Sequence, residues 1–306
     1  MRSVLLASLG VLAGVVGLWA GARLLVESAA AIARRLGVSE AAIGLTVVAV
    51  GTSLPELVVT VDAALSGYPN VAVGNVVGAN AFNATFVLGV TALVVPLGVT
   101  RASAGRNAAL LAVGAGVPAL VLLDGSVSQF EGVVLCLAWL ASLPAFARIE
   151  HPVEPDVETE PVTRWTVAAL VAGTALVLAS GDLLVQSATS LAAAAGVSTW
   201  VVGTTIVAAG TSTPELATNV LAARRGRVGI AVGNVVGSNV FRPTGVLGAA
   251  ALAGPIAPTA SVAPQLWWLA GASLLAALAL LTRRTLGRRE GAVLVLAEAA
   301  RWVVVA

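Results

Sequence analysis

The sequence predicts an all-α protein that crosses a membrane about ten times, in two halves of opposite orientation. The composition is the first reason: of 306 residues, 58% are hydrophobic and 10% are charged, with a mean hydropathy of +0.97. A soluble domain is normally about one quarter charged. The second reason is the alternation of arginine-rich and arginine-free loops, and the third is a sequence repeat that covers both halves.

The predicted spans follow the apolar runs and the breakers between them. Their limits are 3–26, 38–66, 70–96, 104–123, 127–147, 164–188, 197–223, 228–253, 259–282 and 290–306. The first run is too long for a cleaved signal peptide, so we expect it to be a retained span. Residues 148–163, rich in Pro and acidic residues, form a linker between a first half, 1–147, and a second half, 164–306.

Arginines fix the predicted orientation. They occur in every other loop, from Arg34 and Arg35 in the first to Arg288 and Arg289 in the last, whereas intervening loops such as "SGYPN" carry none. Short arginine-rich loops stay on the cytoplasmic side. We therefore expect a multi-pass protein of the cell membrane with both termini outside.

The two halves contain the same signatures. "GTSLPEL" at Gly51 recurs as "GTSTPEL" at Gly210, and "AVGNVVGANAF" at Ala72 recurs as "AVGNVVGSNVF" at Ala231. Both offsets are 159 residues, from 210 minus 51 and from 231 minus 72. Five spans in each half are an odd number, so the second copy enters from the opposite face. Inverted repeats of this kind are typical of secondary transporters.

Each first signature places a helix breaker at membrane depth. Pro55 has no N–H to donate and displaces the carbonyl of Gly51, and Pro214 does the same to that of Gly210. Freed carbonyls inside a membrane need a partner, and a bound cation is one. Oxygen-bearing side chains lie within about one and a half turns of each break: Thr52, Ser53 and Glu56 in the first half, and Thr211, Ser212 and Glu215 in the second.

An all-oxygen set indicates a hard cation such as Ca²⁺ or Na⁺. The chain has a single histidine and a single cysteine, so a zinc site is disfavoured. The charges of Glu56 and Glu215 match one divalent ion. Two carboxylates buried without a bound cation or proton are costly. We therefore expect an exchanger whose site changes from one face of the membrane to the other only when an ion occupies it.

Other classes of function fit less well. The arginines lie at span ends rather than in a patch, which argues against nucleic acid as a partner. An intramembrane enzyme is disfavoured because the serines have no nearby His, "GxSxG" is absent and the chain contains no Lys. We expect no enzyme activity and no cofactor, with inorganic cations and the lipid bilayer as partners. A membrane scaffold or sensor descended from a transporter remains an alternative.

The paired signatures resemble those of the sodium/calcium exchanger family, within the calcium/cation antiporters. The resemblance implies ten helices in two inverted repeats, four central ion positions and a peripheral helix pair that slides. It implies a calcium position on Glu56, Glu215 and the carbonyls of Thr52 and Thr211. The sodium positions implied are those residues with Ser53, Ser212, Ser238 and the carbonyls of Ala49 and Ala208, and Asn83 matches a central polar position.

Two positions depart from the family pattern. Ala79 stands where the family often has Ser, and Arg242 stands where it commonly has Asp or Asn. Arg242 is the repeat mate of Asn83, since 242 minus 83 is again 159. One interpretation is a guanidinium that snorkels to an interface. Our hypothesis is instead that Arg242 points to the glutamates as a tethered cation, which favours fewer sodium ions, proton coupling or an altered substrate.

The function predicted first is exchange of Ca²⁺ for Na⁺. The alternatives are a cation/H⁺ antiporter in which Arg242 replaces a bound monovalent cation, and a transport-impaired scaffold or sensor. The remaining charges inside the spans are interpreted as structural or interfacial. Arg23 and Glu27 are spaced to pair on one helix face, and so are Glu298 and Arg301.

Overall fold

The computed structural model describes residues 2–147, 163–195, 210, 212–258 and 262–305. The predicted linker therefore lies almost wholly outside the described residues. Two predicted spans, 197–223 and 259–282, lie partly outside them. The described residues are almost entirely helical, as the sequence predicts.

The first half begins with a long helix, continues through two interrupted helices and ends with two straight ones. Its elements are α1 (Arg2–Leu36), α2 (Glu40–Ile43), a π-helical turn π1 (Gly44–Val48), α3 (Ala49–Thr52), α4 (Leu54–Leu65), α5 (Pro69–Phe82), π2 (Asn83–Val87), α6 (Leu88–Val94), strand β1 (Leu97–Gly98), α7 (Arg101–Val121) and α8 (Gln129–Ala147).

The second half repeats the order of the helices and π turns wherever it is described. Its elements are α9 (Arg164–Ala194), α10 (Thr213–Arg224), α11 (Val228–Phe241), π3 (Arg242–Val246), α12 (Leu247–Ala253), α13 (Ala263–Arg283), strand β2 (Thr285–Leu286) and α14 (Arg288–Val305). The bounds of α4, α5, π2 and α6 become those of α10, α11, π3 and α12 when 159 is added to each number.

The loop contacts obey the same symmetry. Strand β1 pairs with β2 through Leu97 and Leu286, and an isolated antiparallel bridge joins Val127 and Ile256. Adding 159 to 97 and to 127 gives 256 and 286. Each bridge is therefore the image of the other, with the two halves exchanged. This exchange is what an inverted repeat with a pseudo-twofold axis requires.

Local chemistry explains where several helices begin and end. Ser39 caps α2 by accepting a hydrogen bond from the N–H of Ala42 at 3.0 Å. The chain turns after α4 at Gly67 and after α10 at its repeat mate Gly226, with φ angles of 75° and 73°. Positive φ of this size favours glycine, which has no Cβ.

Six helices of the described part are long and apolar enough to cross a membrane, and a seventh results if α2–α3 and α4, bent by 49°, count as one span. The predicted span 228–253 is continuous but is not among them. It contains Arg242 together with Asn234 and Asn239, which lower its hydropathy. The fold class is confirmed, whereas the number of ten spans stays a prediction.

Close backbone contact holds the interrupted helices together. A Cβ at Gly233 would lie 2.6 Å from the carbonyl oxygen of Ala41, and one at Gly237 would lie 2.4 Å from that of Leu45. These distances allow only glycine, so α11 packs directly on α2 and π1. This packing holds the break after α3 in contact with the second half of the chain, and the candidate site lies at that contact.

Candidate cation-binding site

Ser53 and its repeat mate Ser212 have nearly the same backbone geometry, each directly before a helix. Helix α3 ends at Thr52 and α4 starts at Leu54, with Ser53 between them at φ −88° and ψ 13°. In the second half, Ser212 has φ −92° and ψ 7° directly before α10. Both breaks place a glutamate in the first turn of the helix that follows, Glu56 in α4 and Glu215 in α10.

The two glutamates meet at one arginine. Nη2 of Arg242 donates to Oε1 of Glu56 and to Oε1 of Glu215, both at 2.8 Å. All three side chains are 0% exposed. The structure thus brings together two carboxylates from opposite halves, as the sequence predicts, and inserts a guanidinium between them.

Arg242 is the first residue of π3, and its own backbone N–H donates to the carbonyl of Ser238 in α11. Its Nη1 donates to the carbonyl oxygen of Ala79 at 3.1 Å. Ala79, which lacks the hydroxyl expected there, therefore contributes its backbone to the arginine. The interpretation that Arg242 snorkels to an interface is wrong, because its side chain is fully buried.

Serines cross between the halves. The hydroxyl of Ser53 donates to Oε1 of Glu215 at 3.0 Å, and that of Ser212 donates to Oε1 of Glu56 at 3.3 Å. Ser53 also lies 3.1 Å from the hydroxyl of Ser238. The two serine–glutamate contacts are repeat mates, so each half stabilises the carboxylate of the other.

The remaining predicted ligands lie around this centre or outside the described residues. Thr52 is buried, and its Oγ1 is 3.2 Å from Oδ1 of Asn234. The carbonyl of Ala49 accepts the N–H of Ser53 at 3.2 Å and lies 3.5 Å from the Ser238 hydroxyl. Asn83 is 0% exposed at the start of π2. Thr211 and Ala208 lie outside the described residues.

Several buried oxygens have no hydrogen-bond partner among the described residues. They are Oε2 of Glu56, Oε2 of Glu215, Oδ1 of Asn83 and Oγ1 of Thr218. A buried polar atom without a partner is costly, and an ordered water or a bound ion commonly satisfies such an atom. The chemistry of this set, carboxylate, amide and hydroxyl oxygen, suits an alkali or alkaline-earth cation.

Further polar contacts, made by the asparagines of the second signatures, also obey the repeat. Asn75 donates to Thr60 Oγ1 at 2.9 Å, and its mate Asn234 donates to Asn219 Oδ1 at 2.9 Å. Asn80 donates to the carbonyl of its own mate, Asn239, at 3.0 Å. The common offset of 159 between these asparagines was the signal that could have identified them as pairs.

The charges interpreted as structural do form pairs. Arg23 bonds Glu27 at 3.1 Å, and Arg301 bonds Glu298 within α14. Two contacts were not foreseen. Glu27 also accepts from Arg225 at 2.6 Å, and Glu298 accepts from the hydroxyl of Thr85 at 2.8 Å.

Comparison with known proteins agrees with this architecture. The family model described as sodium/calcium exchanger protein matches residues 6–147 and 165–297. A putative antiporter, CaxA, of Alkalimonas amylolytica is 36% identical, over 96% of this chain and 97% of the relative. The sodium/calcium exchanger MaX1 of Methanosarcina acetivorans is 28% identical, over 80% of this chain and 82% of the relative.

The fold is also that of a solved transporter. A structure of the sodium-calcium exchanger NCX_Mj, soaked with 2.5 mM Na⁺ and 10 mM Sr²⁺, superimposes with a TM-score of 0.85 and 31% sequence identity. The match covers 97% of this chain and 98% of that one.

Proposed function

This chain belongs to the sodium/calcium exchanger family, and we propose that it is a cation/proton antiporter whose central site already contains one positive charge, the guanidinium of Arg242. Family membership makes it a multi-pass membrane protein and an exchanger-type cation antiporter rather than an enzyme. The proposal concerns the finer points, namely the site on Glu56 and Glu215 and the ions that it exchanges.

The contact between Arg242 and both glutamates carries the proposal. Two carboxylates and one guanidinium leave the centre with a net charge of minus one. One Na⁺ or one H⁺ makes the buried site neutral, whereas Ca²⁺ leaves it with a charge of plus one. An uncompensated charge away from water is expensive, so a single monovalent ion is the occupant that the arrangement favours.

The available oxygens support the same conclusion. Ca²⁺ takes six to eight oxygen ligands in proteins. Here the Oε1 atom of each glutamate is engaged by Arg242 and by a serine hydroxyl. The Oε2 atoms remain without a partner among the described residues, and this smaller set of free oxygens suits Na⁺ or a proton held by one carboxylate.

Exchange follows from the cost of an empty site. Without a bound ion the centre carries a buried charge of minus one, so crossing between the two faces is unfavourable. With Na⁺ or H⁺ bound the centre is neutral and crossing is easier. Na⁺ moving one way is then coupled to H⁺ moving the other, one for one, and each cycle transfers no net charge.

Exchange of Ca²⁺ for Na⁺, the function predicted first, is the second candidate. The relatives described as sodium/calcium exchangers favour it. It requires Arg242 to leave the carboxylates when Ca²⁺ enters. A transport-impaired scaffold or sensor is the third, in which the tethered cation blocks the site permanently.

Transport by the purified protein in liposomes tests the proposal. We expect ²²Na⁺ uptake that is driven by an outward H⁺ gradient and is unaffected by a membrane potential. This uptake should be lost in Glu56→Gln and Glu215→Gln. The matched control is Asp182→Asn, an exposed carboxylate of α9 that accepts a hydrogen bond from Gln186.

Each failure has a distinct meaning. Unchanged transport in both glutamine variants would refute the site assignment. Uptake of ⁴⁵Ca²⁺ on an outward Na⁺ gradient, without proton-driven Na⁺ uptake, would establish the second candidate. Absence of both fluxes in the wild type would support the third candidate, the scaffold or sensor.

A further inference from the structure

A third buried carboxylate, that of Glu298, lies outside the central glutamate pair and contacts the π turn that begins with Asn83. Glu298, on α14, is 2% exposed, and its Oε2 accepts the hydroxyl of Thr85 at 2.8 Å. Its other partner is Arg301, which donates to both carboxylate oxygens. Thr85 belongs to π2, two residues after Asn83.

The second half has no hydrogen bond equivalent to the one between Thr85 and Glu298. Thr244 stands in π3 where Thr85 stands in π2, since 244 minus 85 is 159. Both hydroxyls lie 2.6 Å from a carbonyl oxygen of their own helix, that of Ala81 and that of Val240, but the single O–H of Thr85 is shared between Ala81 and the carboxylate of Glu298. The mate of Glu298, however, is Trp139, which packs on Phe241 with ring centroids 4.9 Å apart.

The other half has an aromatic ring, Trp139, at the position equivalent to Glu298. The fold itself therefore does not require a carboxylate at this position. A buried ion pair is often no more stabilising than apolar residues of similar volume. The contact between Glu298 and Thr85 must then have another use, one required in the first half and dispensable in the second.

The two π turns differ in how their first residues are held. Arg242 makes three hydrogen bonds to Glu56, Glu215 and Ala79, so its own side chain fixes π3. The side chain of Asn83 has no hydrogen-bond partner among the described residues. Since π turns are rare and interrupt the regular bonding of the helix, π2 needs a restraint from elsewhere.

We propose that Glu298 is a positioning residue of the cation site: through the hydroxyl of Thr85 it fixes the π turn that presents Asn83 to the bound cation. This inference rests on the proposed function, because it needs a cation at the glutamate pair. It adds to the site a residue from the last helix, which no signature of the repeat contains.

The two threonines provide a matched test. Thr85→Val and Thr244→Val each remove an intrahelical hydroxyl bond, but only the first removes the contact with Glu298. In proteoliposomes we expect Thr85→Val to raise the Na⁺ concentration for half-maximal transport by about three- to tenfold, the effect of one lost hydrogen bond. Thr244→Val should stay within about twofold, and Thr85→Ser, which keeps the hydroxyl, should restore the wild-type value.

A second variant covers the case in which Thr85→Val does not fold. Replacing Glu298 and Arg301 together by Met removes the acceptor without leaving a buried unpaired charge. This double variant should raise the half-maximal Na⁺ concentration as much as Thr85→Val, and combining all three changes should add nothing further.

The outcomes separate this inference from the proposed function. Equal Na⁺ dependence in the two Val variants, or a normal value in the Met variant, overturns the role of Glu298 while transport itself persists. A purely structural role is identified by a lower melting temperature and maximal rate with an unchanged half-maximal concentration. Loss of transport in the glutamine variants of the central pair tests the function separately.

Discussion

Replacing Arg242 by asparagine gives the second repeat the residue that the first already has at Asn83. The substitution removes the only positive charge that contacts Glu56 and Glu215 among the described residues. The central charge becomes minus two, and both Oε1 atoms are released from the guanidinium. We expect the variant to prefer a divalent cation over a monovalent one.

The size of the effect follows from the geometry. With an effective dielectric constant of about 20, each contact of 2.8 Å corresponds to roughly 6 kcal/mol of Coulomb attraction before desolvation is subtracted. Removing one partner from a buried ion pair costs about 3–5 kcal/mol. If Ca²⁺ recovers the lower figure on binding, its affinity rises by about a hundredfold, since each 1.4 kcal/mol is tenfold.

Calorimetric titration with Ca²⁺ and Na⁺ measures this change directly, and liposome transport at varied membrane potential gives the charge moved in each cycle. Arg242→Lys is the control, because it keeps the charge but loses the fork geometry of the guanidinium. Without cations, Arg242→Asn should also melt at a lower temperature than the wild type and be stabilised by Ca²⁺. Identical Ca²⁺ affinity and identical coupling in wild type and Arg242→Asn would refute the tethered-cation reasoning.

Three further predictions concern the cross-half bond, the packing and the orientation. Ser53→Ala removes a hydrogen bond to a carboxylate, worth about 1.5–3 kcal/mol, and should weaken apparent Na⁺ affinity about tenfold or more in the liposome assay; a normal affinity would contradict its role. Gly114→Ala should destabilise the protein by about 1–3 kcal/mol, because its Cβ would lie 2.5 Å from a carbonyl oxygen of α11. Gly116→Ala on the same helix, with no described atom within 4 Å, is its control in thermal denaturation, and equal losses would refute the packing argument. With Cys136 replaced, Tyr68→Cys in the arginine-free loop should react with an impermeant thiol reagent added outside intact cells, and labelling only after permeabilisation would reverse the predicted orientation.

Much of the site could be predicted because the repeat constrains it. Two breaks with the same signature, in halves of opposite orientation, require Glu56 and Glu215 to approach the same depth from opposite sides. The offset then identifies Arg242 as the mate of Asn83, and an arginine inside a span favours contact with acidic groups or a position that lets it reach the interface. The sequence thus predicts both the pair and its cation.

The π turns could not be predicted in the same way. π1, π2 and π3 arise in apolar helices whose periodicity hides an added residue, and only π3 contains a proline, Pro243. The contact between Thr85 and Glu298 depends on which helix packs against π2, and the repeat mate of Glu298 is Trp139 rather than an acidic residue. The span 228–253 could be predicted although its polar residues lower its hydropathy, but the sequence does not show that Asn234, Asn239 and Arg242 are buried in the interior rather than facing lipid.

The position of a divalent ion tests the central claim most directly. Anomalous diffraction from crystals of the wild-type protein soaked in Sr²⁺ would locate that ion relative to Glu56 and Glu215. If Arg242 is a tethered cation, no strontium peak lies between the two carboxylates, and the Arg242 guanidinium contacts both of them. A strontium ion bridging the carboxylates, with Arg242 turned away, would contradict it.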